Sequence, residues 1–418
     1  MEKVLKMALS KAEEGEVYKE SFQSTIVNFQ FNHLKSVDSC FGQGVGLRVI
    51  KNGKIGFSSV TTNKDLELLV SSAIASASFG QKARFKFPSP SKVPQVECFD
   101  SNLPSVPVER MIEEGENTIK IITKEFPSVQ CEAELEKEIA TISILNSSGL
   151  NLTYKKSFYS FSIYAFLAEE GDFLGVAEEE CGCQYKDYST LLAQRVIEKI
   201  KLAQKKADIQ TGIYPAIFTS KAMPLIFNSL EKGINGKLVQ KNSSPLCSKL
   251  NQPIFSTLLT IVDDATLNFG PSSSPIDDEG VPSRQNTIVE RGILKTFIYD
   301  LQTAGLMKTE TTANGRRDYD SLPSPSTTNL IVSPGELSTQ DMIKDMKEGI
   351  IIDQVIGSGQ SNVLMGEFSV NLDLAFKVEN GKIVGRIKNV MATGNIYELL
   401  KNILAVGKKA QFIGSICT

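Results

Sequence analysis

The histidine count limits the chemistry that this 418-residue chain can perform alone, because His33 is its single histidine. A metal centre that needs two imidazoles, such as a two-histidine zinc protease site, is excluded within one chain. Any histidine-dependent catalytic triad would have to use His33. His33 continues the apolar alternation of Val27, Phe29 and Phe31, and no nucleophile accompanies it at a fixed spacing. We expect it on a strand face or at a strand end, without a catalytic role.

The densest acidic group lies between residues 261 and 280, around a loop rich in glycine, proline and serine. Its members are Asp263, Asp264, Asp277, Asp278 and Glu279. Hard cations favour clustered carboxylates, but the helix–loop–helix calcium motif alternates its ligands, whereas these acids stand in adjacent pairs. The pattern favours a solvated loop end, with metal binding as the alternative.

Basic residues form two weaker groups. One lies on the predicted helix Ser189–Lys205 and is expected to face solvent. The other, Arg316 and Arg317, lies in the polar segment Thr311–Asn329, which has neither helical nor strand periodicity. A structureless segment of this length is uncommon inside a compact domain and often borders a substrate or a partner.

Two further motifs are weak signals of chemistry. The glycines of Gly42–Gly46 precede the strand-like sequence LRVI, whereas a dinucleotide-binding loop leads into a helix. Cys181 and Cys183 are separated by one residue, whereas redox and zinc pairs are usually separated by two. We therefore predict a glycine-rich strand and a pair of strand-end thiols.

Composition restricts the location and the partners of the protein. Its 45 basic and 48 acidic residues give a formal charge of −3, and this near-balance argues against direct nucleic-acid binding. The seven cysteines are sparse and odd in number, which is typical of a reducing compartment. Neither a secretory leader nor a run of about 18 apolar residues is recognisable. We expect a cytoplasmic protein that does not enter the membrane.

Hydrophobic periodicity predicts the elements that would position these residues. Helices are predicted at 4–12, 66–77, from about 107, at 189–205, at 338–347 and at 396–404, and long strands at 25–37 and within 138–185. Thr62 and Asp65 form a weak capping pair for the second helix. Hairpins are predicted at Asn52–Gly53, Arg291–Gly292 and Asn380–Gly381.

This element order predicts an α+β fold, because strands pair locally and strand–helix–strand units do not recur. We expect an N-terminal helix and antiparallel-sheet domain at 1–208, with a first part at about 1–85, a linker at 86–105 and a central part at 106–208. A β-rich C-terminal domain with short helices is expected at 212–418.

The C-terminal half carries an ordered series of motifs that resembles the TldD/PmbA family. The motifs are VQKNSSPL (239–246), SPIDDEGVPS (274–283), GILKTFIYDLQTA (292–304), NGRR (314–317), PSPSTTNL (323–330), GEFS (366–369), VENGKI (378–383) and GNIYELL (394–400). The N-terminal sequence GVGLRVIKNGKIG is similar to the first hairpin of that family. The resemblance extends over essentially the whole chain.

The resemblance implies a cytosolic peptidase system that matures or degrades peptides and small unfolded proteins, once described as a modulator of DNA gyrase. Its TldD-type subunit binds zinc through an H-E-x-x-x-H helix and a later cysteine. Here the corresponding segment, Ser220–Ile226, reads SKAMPLI without a histidine. Cys417 lies near the position of the cysteine ligand, but one thiol does not hold zinc. The chain therefore resembles the PmbA-type subunit, and zinc is expected only in a TldD-type partner.

Three functions follow from these observations. The first is a non-catalytic PmbA-like subunit that completes a peptide cleft with a TldD-like partner, or with itself as a dimer. The second is a homodimeric binding or scaffold protein of the gyrase-modulator type. The third is an independent enzyme that uses a cysteine or carboxylates. The residues expected to contact a peptide or a partner are Asp277, Asp278, Glu279, Asn314, Arg316 and Arg317.

Overall fold

The computed structural model describes residues 1–61, 65–169, 171–357 and 362–413, so that Thr62 and Cys417 lie outside the described residues. The helices in these ranges are α1 (Glu2–Leu9), α2 (Leu66–Ser76), α3 (Val108–Glu125), α4 (Ser189–Ala203), α5 (Met223–Ile234), α6 (Gly236–Gln240), α7 (Leu301–Met307), α8 (Thr339–Lys344) and α9 (Ile396–Lys401). Short 3-10 helices lie at Leu103–Ser105, Ser220–Ala222 and Val363–Met365.

The strands fall into a long N-terminal group and a shorter C-terminal group. The first group is β1 (Glu14–Gln30), β2 (His33–Lys51), β3 (Lys54–Val60), β4 (Gln130–Asn146), β5 (Asn151–Glu169) and β6 (Asp172–Gly182). The second is β7 (Ala216–Phe218), β8 (Ile261–Asp264), β9 (Gln285–Glu290), β10 (Ile293–Leu294), β11 (Gly315–Arg316), β12 (Ser324–Pro325), β13 (Leu330–Val332), β14 (Glu348–Ile356), β15 (Glu367–Glu379), β16 (Lys382–Ile387) and β17 (Met391–Asn395).

The long strands form one antiparallel sheet in the order β3-β2-β1-β4-β5-β6. Strand β1 pairs with β4 from Glu16 opposite Asn146 to Phe29 opposite Ala133, which joins the first and central parts of the N-terminal half in one sheet. One face of this sheet carries α1 to α4. Residues of odd number, such as Val17, Leu47 and Leu135, are buried on that face. The opposite face is turned toward the C-terminal half, where Tyr18, Ile144 and Ile276 share a small core.

The predicted strand at 25–37 is wrong as a single element, because Phe31 and Asn32 form the turn between β1 and β2. Both residues have positive φ, 50° and 69°, and Gln30 pairs with His33 across the turn. A two-residue turn does not interrupt an alternating pattern, so the alternation through Phe31 and Asn32 predicts a single strand. Phe31 is 54% exposed and His33 is exposed at the start of β2, so neither extends the buried row of Val27 and Phe29.

The described part of the C-terminal half contains three small sheets, of which one is the two-stranded pair β11 and β12. Strands β10, β9, β8 and β13 form an antiparallel sheet, and β16, β15, β14 and β7 form another sheet, with β17 also pairing with β15. Strand β7 is parallel to β14, and the other pairs in these sheets are antiparallel. The predicted hairpins are confirmed, since Asn52–Gly53, Arg291–Gly292 and Asn380–Gly381 all have positive φ.

The mixture of helices and mainly antiparallel sheets confirms the α+β class. Within the described ranges, none of the helices has both the length and the apolar character needed to cross a membrane.

Candidate functional site

A cleft of about 3070 Å³ separates the helix-free face of the N-terminal sheet from the C-terminal half. One wall is formed by β1, β4, β5 and β6, and the other by residues drawn from 213–231, 327–332 and 399–413. The end of the described chain crosses this second wall. Ser220 Oγ donates to Gln411 Oε1 at 2.8 Å, which fixes the segment beside the 3-10 helix at Ser220–Ala222. The cleft is therefore bounded by the sheet on one side and by the C-terminal half on the other.

The sheet wall carries a row of carboxylates on β4. Glu132, Glu134, Glu136 and Glu138 all line the cleft. Because strand side chains alternate, the intervening residues Cys131, Ala133 and Leu135 are buried under the helices. Burial, with Glu138 and Glu134 as neighbours, raises the pKa of Glu136. The row gives this part of the wall a negative potential.

Glu20 of β1 lies where the sheet wall meets the acidic loop of the C-terminal half. Burial is the main cause that raises its pKa to about 7, and Asp278, Asp318 and Glu138 raise it further. Glu20 is therefore half protonated near neutral pH. A carboxyl group in this state can donate or accept a proton at neutral pH.

The two loops predicted separately from the sequence lie against each other. Asp278 N donates to Gly315 O at 2.9 Å, and Arg317 N donates to Asp278 Oδ2 at 3.1 Å. Asp277 Oδ2 accepts from Gly315 N at 3.1 Å, and its Oδ1 accepts from Glu279 N and Val281 N. These bonds position the acidic loop and the NGRR segment as one unit.

Glu279 and Arg317 connect this unit to the N-terminal sheet through a buried ionic network. Arg48 Nη1 contacts Glu279 Oε1 at 2.6 Å, and Arg48 Nη2 contacts Glu16 at 3.1 Å. Arg317 Nη2 contacts Glu16 Oε1 at 2.6 Å. Arg317 also stacks on Tyr18, with its Cζ 4.4 Å from the ring centroid. The network ties β1 and β2 to residues more than 200 positions later in the chain.

Asn314 has a structural position behind the cleft. Its Nδ2 donates to Asp263 Oδ2 at 2.7 Å and to Ser326 O at 2.9 Å, and Asn314 is fully buried. Asp263 Oδ1 in turn accepts from Thr328 N at 2.6 Å. Asn314 and Asp263 therefore fasten the segment 311–329 to β8.

The expectation of a solvated acidic loop is wrong. Asp263, Asp277 and Glu279 are fully buried, and Asp278 is 7% exposed. The sequence could not show the reason, which is that backbone N–H groups and distant arginines satisfy these carboxylates. Of the six predicted contact residues, Asp278, Arg316 and Arg317 line the cleft. Asp277, Glu279 and Asn314 lie behind its surface, where they hold the other three in place.

The glycines of Gly42–Gly46 lie in the middle of β2, as a glycine-rich strand. Side chains are missing there because Tyr319 covers the strand. A Cβ at Gly44 would lie 2.0 Å from the Tyr319 ring, and one at Gly46 would lie 2.4 Å from the Tyr319 carbonyl oxygen. Because these glycines have no side chains, the tip of the 311–329 segment can pack directly against the sheet.

A second ionic cluster surrounds Lys221, in the segment Ser220–Ile226. Lys221 Nζ lies 2.8 Å from Asp353 Oδ2 and 2.9 Å from Glu178 Oε1. Lys199 Nζ lies 2.6 Å from Glu178 and 2.8 Å from Asp353. Lys199 is thus part of a buried cluster, and the expectation that the basic face of α4 is solvated is wrong for it. Its partners come from β6 and β14, far apart in sequence.

Protonation in this cluster follows from burial and from the two carboxylates. Burial lowers the pKa of Lys221 more than Asp353 raises it. Burial also lowers the pKa of Lys199, but Asp353 and Glu178 raise it more. The two lysines lower the pKa of Asp353 despite its burial. The two lysines and the two carboxylates thus form one ionic cluster, in which each lysine contacts both carboxylates.

The described residues do not fit a zinc centre. No three His, Cys, Asp or Glu side chains among them are placed to share a metal ion. At the segment Ser220–Ile226 the polar group aimed at the carboxylates is the Lys221 ammonium, which donates hydrogen bonds and has no lone pair for a metal. Cys40, Cys98, Cys131, Cys181, Cys183 and Cys247 are free thiols.

Sequence reasoning missed several residues of the cleft. The acidic row was missed because the strand was predicted to begin at Glu138, whereas β4 begins at Gln130. The alternation of glutamate with apolar residues at 131–136 was the signal that could have shown it. Glu16, Arg48 and Lys221 gave no local signal, because their partners lie in distant parts of the chain.

Known proteins resemble this chain along its length. The family description "PmbA/TldA metallopeptidase domain 1" matches residues 15–77, the central domain matches 101–204 and the C-terminal domain matches 211–418. An uncharacterized protein of Methanocaldococcus jannaschii is 27% identical, over 98% of this chain and 95% of its own length. A metalloprotease TldD homolog of Buchnera aphidicola is 28% identical, over 90% of this chain and 81% of its own length.

Solved structures share the same fold. TldE from Thermococcus kodakarensis superposes with a TM-score of 0.92 at 22% identity, covering 100% of this chain and 96% of that chain. A Thermotoga maritima protein described as a candidate modulator of a DNA gyrase has a TM-score of 0.89 at 24% identity, covering 98% of this chain and 96% of its own. Three successive family domains, full-length relatives and a common fold agree, and the chain belongs to the PmbA/TldD family of metallopeptidase-related proteins.

Proposed function

We propose that this chain is a PmbA-like subunit of a peptidase system, which holds an extended peptide in the cleft while a zinc-bearing TldD-like subunit cleaves it. The observation that carries the proposal is the cleft of about 3070 Å³ between the sheet and the C-terminal half. Substrates of this kind are peptides and small unfolded proteins, because an extended chain fits between two walls that a folded domain cannot enter.

The Lys221 cluster supports a non-catalytic role. In TldD-type proteins the resemblance places zinc ligands at this segment. Here the same place is filled by an ammonium group between Glu178 and Asp353. A protonated lysine cannot activate a water molecule as zinc does, and the neighbouring carboxylates are already engaged. Hydrolysis by this system is therefore assigned to the partner.

The proposal is tested by peptide hydrolysis with the purified chain, a purified TldD-type homologue and their mixture, followed by mass spectrometry of an unstructured peptide. We expect no turnover by this chain alone, and more turnover by the mixture than by the homologue alone. The chain's zinc content is measured in parallel.

A variant that fills the cleft makes the test specific. Ser162 lines the cleft opposite Glu134, so Ser162→Trp should abolish the increase seen in the mixture. Ser71→Trp on the exposed side of α2 is the matched control and should retain the increase. Zinc-dependent hydrolysis by the pure chain would overturn the proposal. A stable homodimer that neither binds peptide nor changes turnover would favour the scaffold function instead.

A further inference from the structure

Lys156 is a half-buried cation whose position in the cleft is not explained by the contacts of the fold. It lies on β5, directly opposite Ala140 of β4, and lines the cleft. Among the described residues, no acceptor forms a hydrogen bond or ion pair with its ammonium group. Burying a charge in part without a partner is costly, and an acceptor supplied by a ligand would offset that cost.

Arg316 is the second cation at this end of the cleft. Its Nη2 donates to Ser274 Oγ at 3.0 Å and to Ser272 O at 3.4 Å, and its Nη1 lies 3.7 Å from Asp278 Oδ1. The Ser274 contact has an ordinary hydrogen-bond length, whereas the contacts to Ser272 O and Asp278 Oδ1 are long and use their donors only weakly. Arg316 and Lys156 are close enough for each to act on the other, because Arg316 lowers the pKa of Lys156 beyond the effect of burial, whereas Asp278 raises it.

Hydrogen bonds hold the two cations in place from opposite walls. Ser157, next to Lys156, donates from its Oγ to Cys183 O at 2.7 Å, and Cys183 Sγ donates to Gly270 O at 3.1 Å. The segment that follows Gly270 contains the two serines bound by Arg316. The backbone that carries Lys156 is thus fastened to the loop that orients Arg316, which makes this a built pocket and not two independent surface cations.

The carboxyl groups of Asp278, Glu20 and Glu138 lie near this pocket. Asp278 accepts from Arg317 N at 3.1 Å and faces Arg316, so both of its oxygens are engaged. Burial and Asp278 raise the pKa of Glu20 to about 7, so Glu20 carries about half a charge at neutral pH. Burial raises the pKa of Glu138, although Lys156 lowers it. Lys156 and Arg316 therefore place two cationic groups beside Asp278, whose oxygens already face Arg316 and Arg317 N.

We propose that Lys156 and Arg316 form a carboxylate-binding pocket at one end of the cleft, which anchors a carboxylate of the bound peptide. This inference rests on the proposed function, because it assumes that the cleft holds a peptide. The carboxylate is either the C-terminal group of the peptide or an aspartate or glutamate side chain. Tyr154, which lines the same end of the cleft, forms its third side.

The test compares three fluorescent, unstructured peptides by fluorescence anisotropy on the full chain, alone and mixed with a TldD-type homologue. The first has a free C-terminal carboxylate and no acidic side chain, the second is its C-terminal amide, and the third is the amide with one added glutamate. We expect the amide to bind about tenfold more weakly than the free acid, since a charge-assisted contact is lost.

Lys156→Gln should remove the difference between the acid and the amide. Its matched control is Lys155→Gln, one residue earlier on the other face of β5, where Lys155 Nζ lies 5.6 Å from the Phe99 ring centroid. The control removes the same charge and should keep the preference. The comparison of the peptides on the unaltered chain does not depend on the folding of any variant.

Each outcome decides a separate point. Preference for the free acid supports the pocket and assigns it to the C-terminus, and recovery of affinity by the glutamate peptide assigns it to acidic side chains. Equal binding of all three peptides would overturn the pocket and leave the proposed function intact. Binding of none of them in either setting would overturn the proposed function and, with it, the pocket.

Discussion

Arg48 forms ion pairs with residues of both halves of the chain. It is 2% exposed, contacts Glu16 and Glu279, and packs against Phe85 and Phe87 at 4.8 and 5.1 Å from their centroids. Burial lowers its pKa, but Glu16 and Glu279 raise it above the ordinary value. Its Nε has no partner among the described atoms. A network of this kind adds little net stability when intact, yet is costly to break.

Replacing Arg48 tests this asymmetry. Arg48→Met leaves the buried Glu279 carboxylate without its cation, and we expect a loss of about 3–5 kcal/mol in the free energy of unfolding, measured in urea. Arg110→Met, at an ion pair whose side chains are 44% and 38% exposed, is the control and should change stability little. If the two variants lowered the free energy of unfolding equally, the buried network would contribute no more to stability than an exposed ion pair.

Glu20 predicts a specific pH dependence. Its folded pKa is about 7, above the ordinary value of 4.5, so the folded state binds more protons between these values. Stability from this group is present below about pH 4.5 and is lost as pH rises toward 7. We therefore expect the free energy of unfolding of Glu20→Gln, taken relative to that of the unaltered chain, to be higher at pH 8 than at pH 4. We expect a difference of about 1–2 kcal/mol, allowing for solvent screening.

The measurement is urea unfolding of both proteins at pH 4 and pH 8. Glu116→Gln, at an exposed position of α3, serves as the control for removing one carboxylate. A stability difference between Glu20→Gln and the unaltered chain that does not change with pH would contradict the raised pKa.

At the scale of the elements, β2 is shaped by what packs on it. Its glycines have no side chains because the tip of the 311–329 segment lies directly on the strand. The contact at Gly44 is with a ring, which can rotate away. The contact at Gly46 is with a carbonyl oxygen of the main chain, which cannot move without shifting the loop. The two positions therefore differ in how they tolerate a methyl group.

Alanine substitutions separate these contacts. Gly44→Ala and Gly46→Ala should each destabilise the fold by about 1–3 kcal/mol, measured by urea unfolding. Tyr319→Ala should relieve the cost at Gly44 but not at Gly46, because only the former clash is with the ring. Gly182→Ala is the matched control in β6, where an added Cβ has nothing within 4 Å. A rescue at Gly46 equal to that at Gly44 would refute the assignment of the contacts.

At the scale of the whole molecule, charged clusters join the sheet to the C-terminal half. Lys221 contacts both Glu178 of β6 and Asp353 of β14, and Asp172 binds Arg386, Lys388 and Lys206 at 2.5–2.7 Å. These clusters join strand β6 to residues of the C-terminal half and thereby resist separation of the two. We therefore expect the two halves to unfold together.

Lys221→Met tests this coupling. It leaves Glu178 and Asp353 with Lys199 as their remaining close lysine, and we expect a loss of about 2–4 kcal/mol in the free energy of unfolding. Lys201→Met, which removes an ion pair whose lysine is 54% exposed, is the control. Urea unfolding monitored by circular dichroism should show one transition for the unaltered chain. A Lys221→Met protein as stable as the control would mean that the cluster does not hold the walls.

Local sequence determined the helices, the hairpins and the α+β class. The pairs Asn52–Gly53 and Asn380–Gly381 determine hairpins because positive φ is a property of the residues themselves. The periodicity of α4 likewise depends only on its own side chains. The single histidine needed no structure to limit the chemistry. These features rest on interactions within a few residues.

The cleft and its charges were decided by the tertiary structure. The sequence predicted that Asp277 and Glu279 are solvated, because their partners, Gly315 N and Arg48, are distant in sequence. Lys156 and Arg316 face each other only after β5 meets the C-terminal half. Burial and ionic pairing depend on which distant surfaces pack together. That packing is determined by many weak contacts across the whole chain, so a short sequence segment does not predict it.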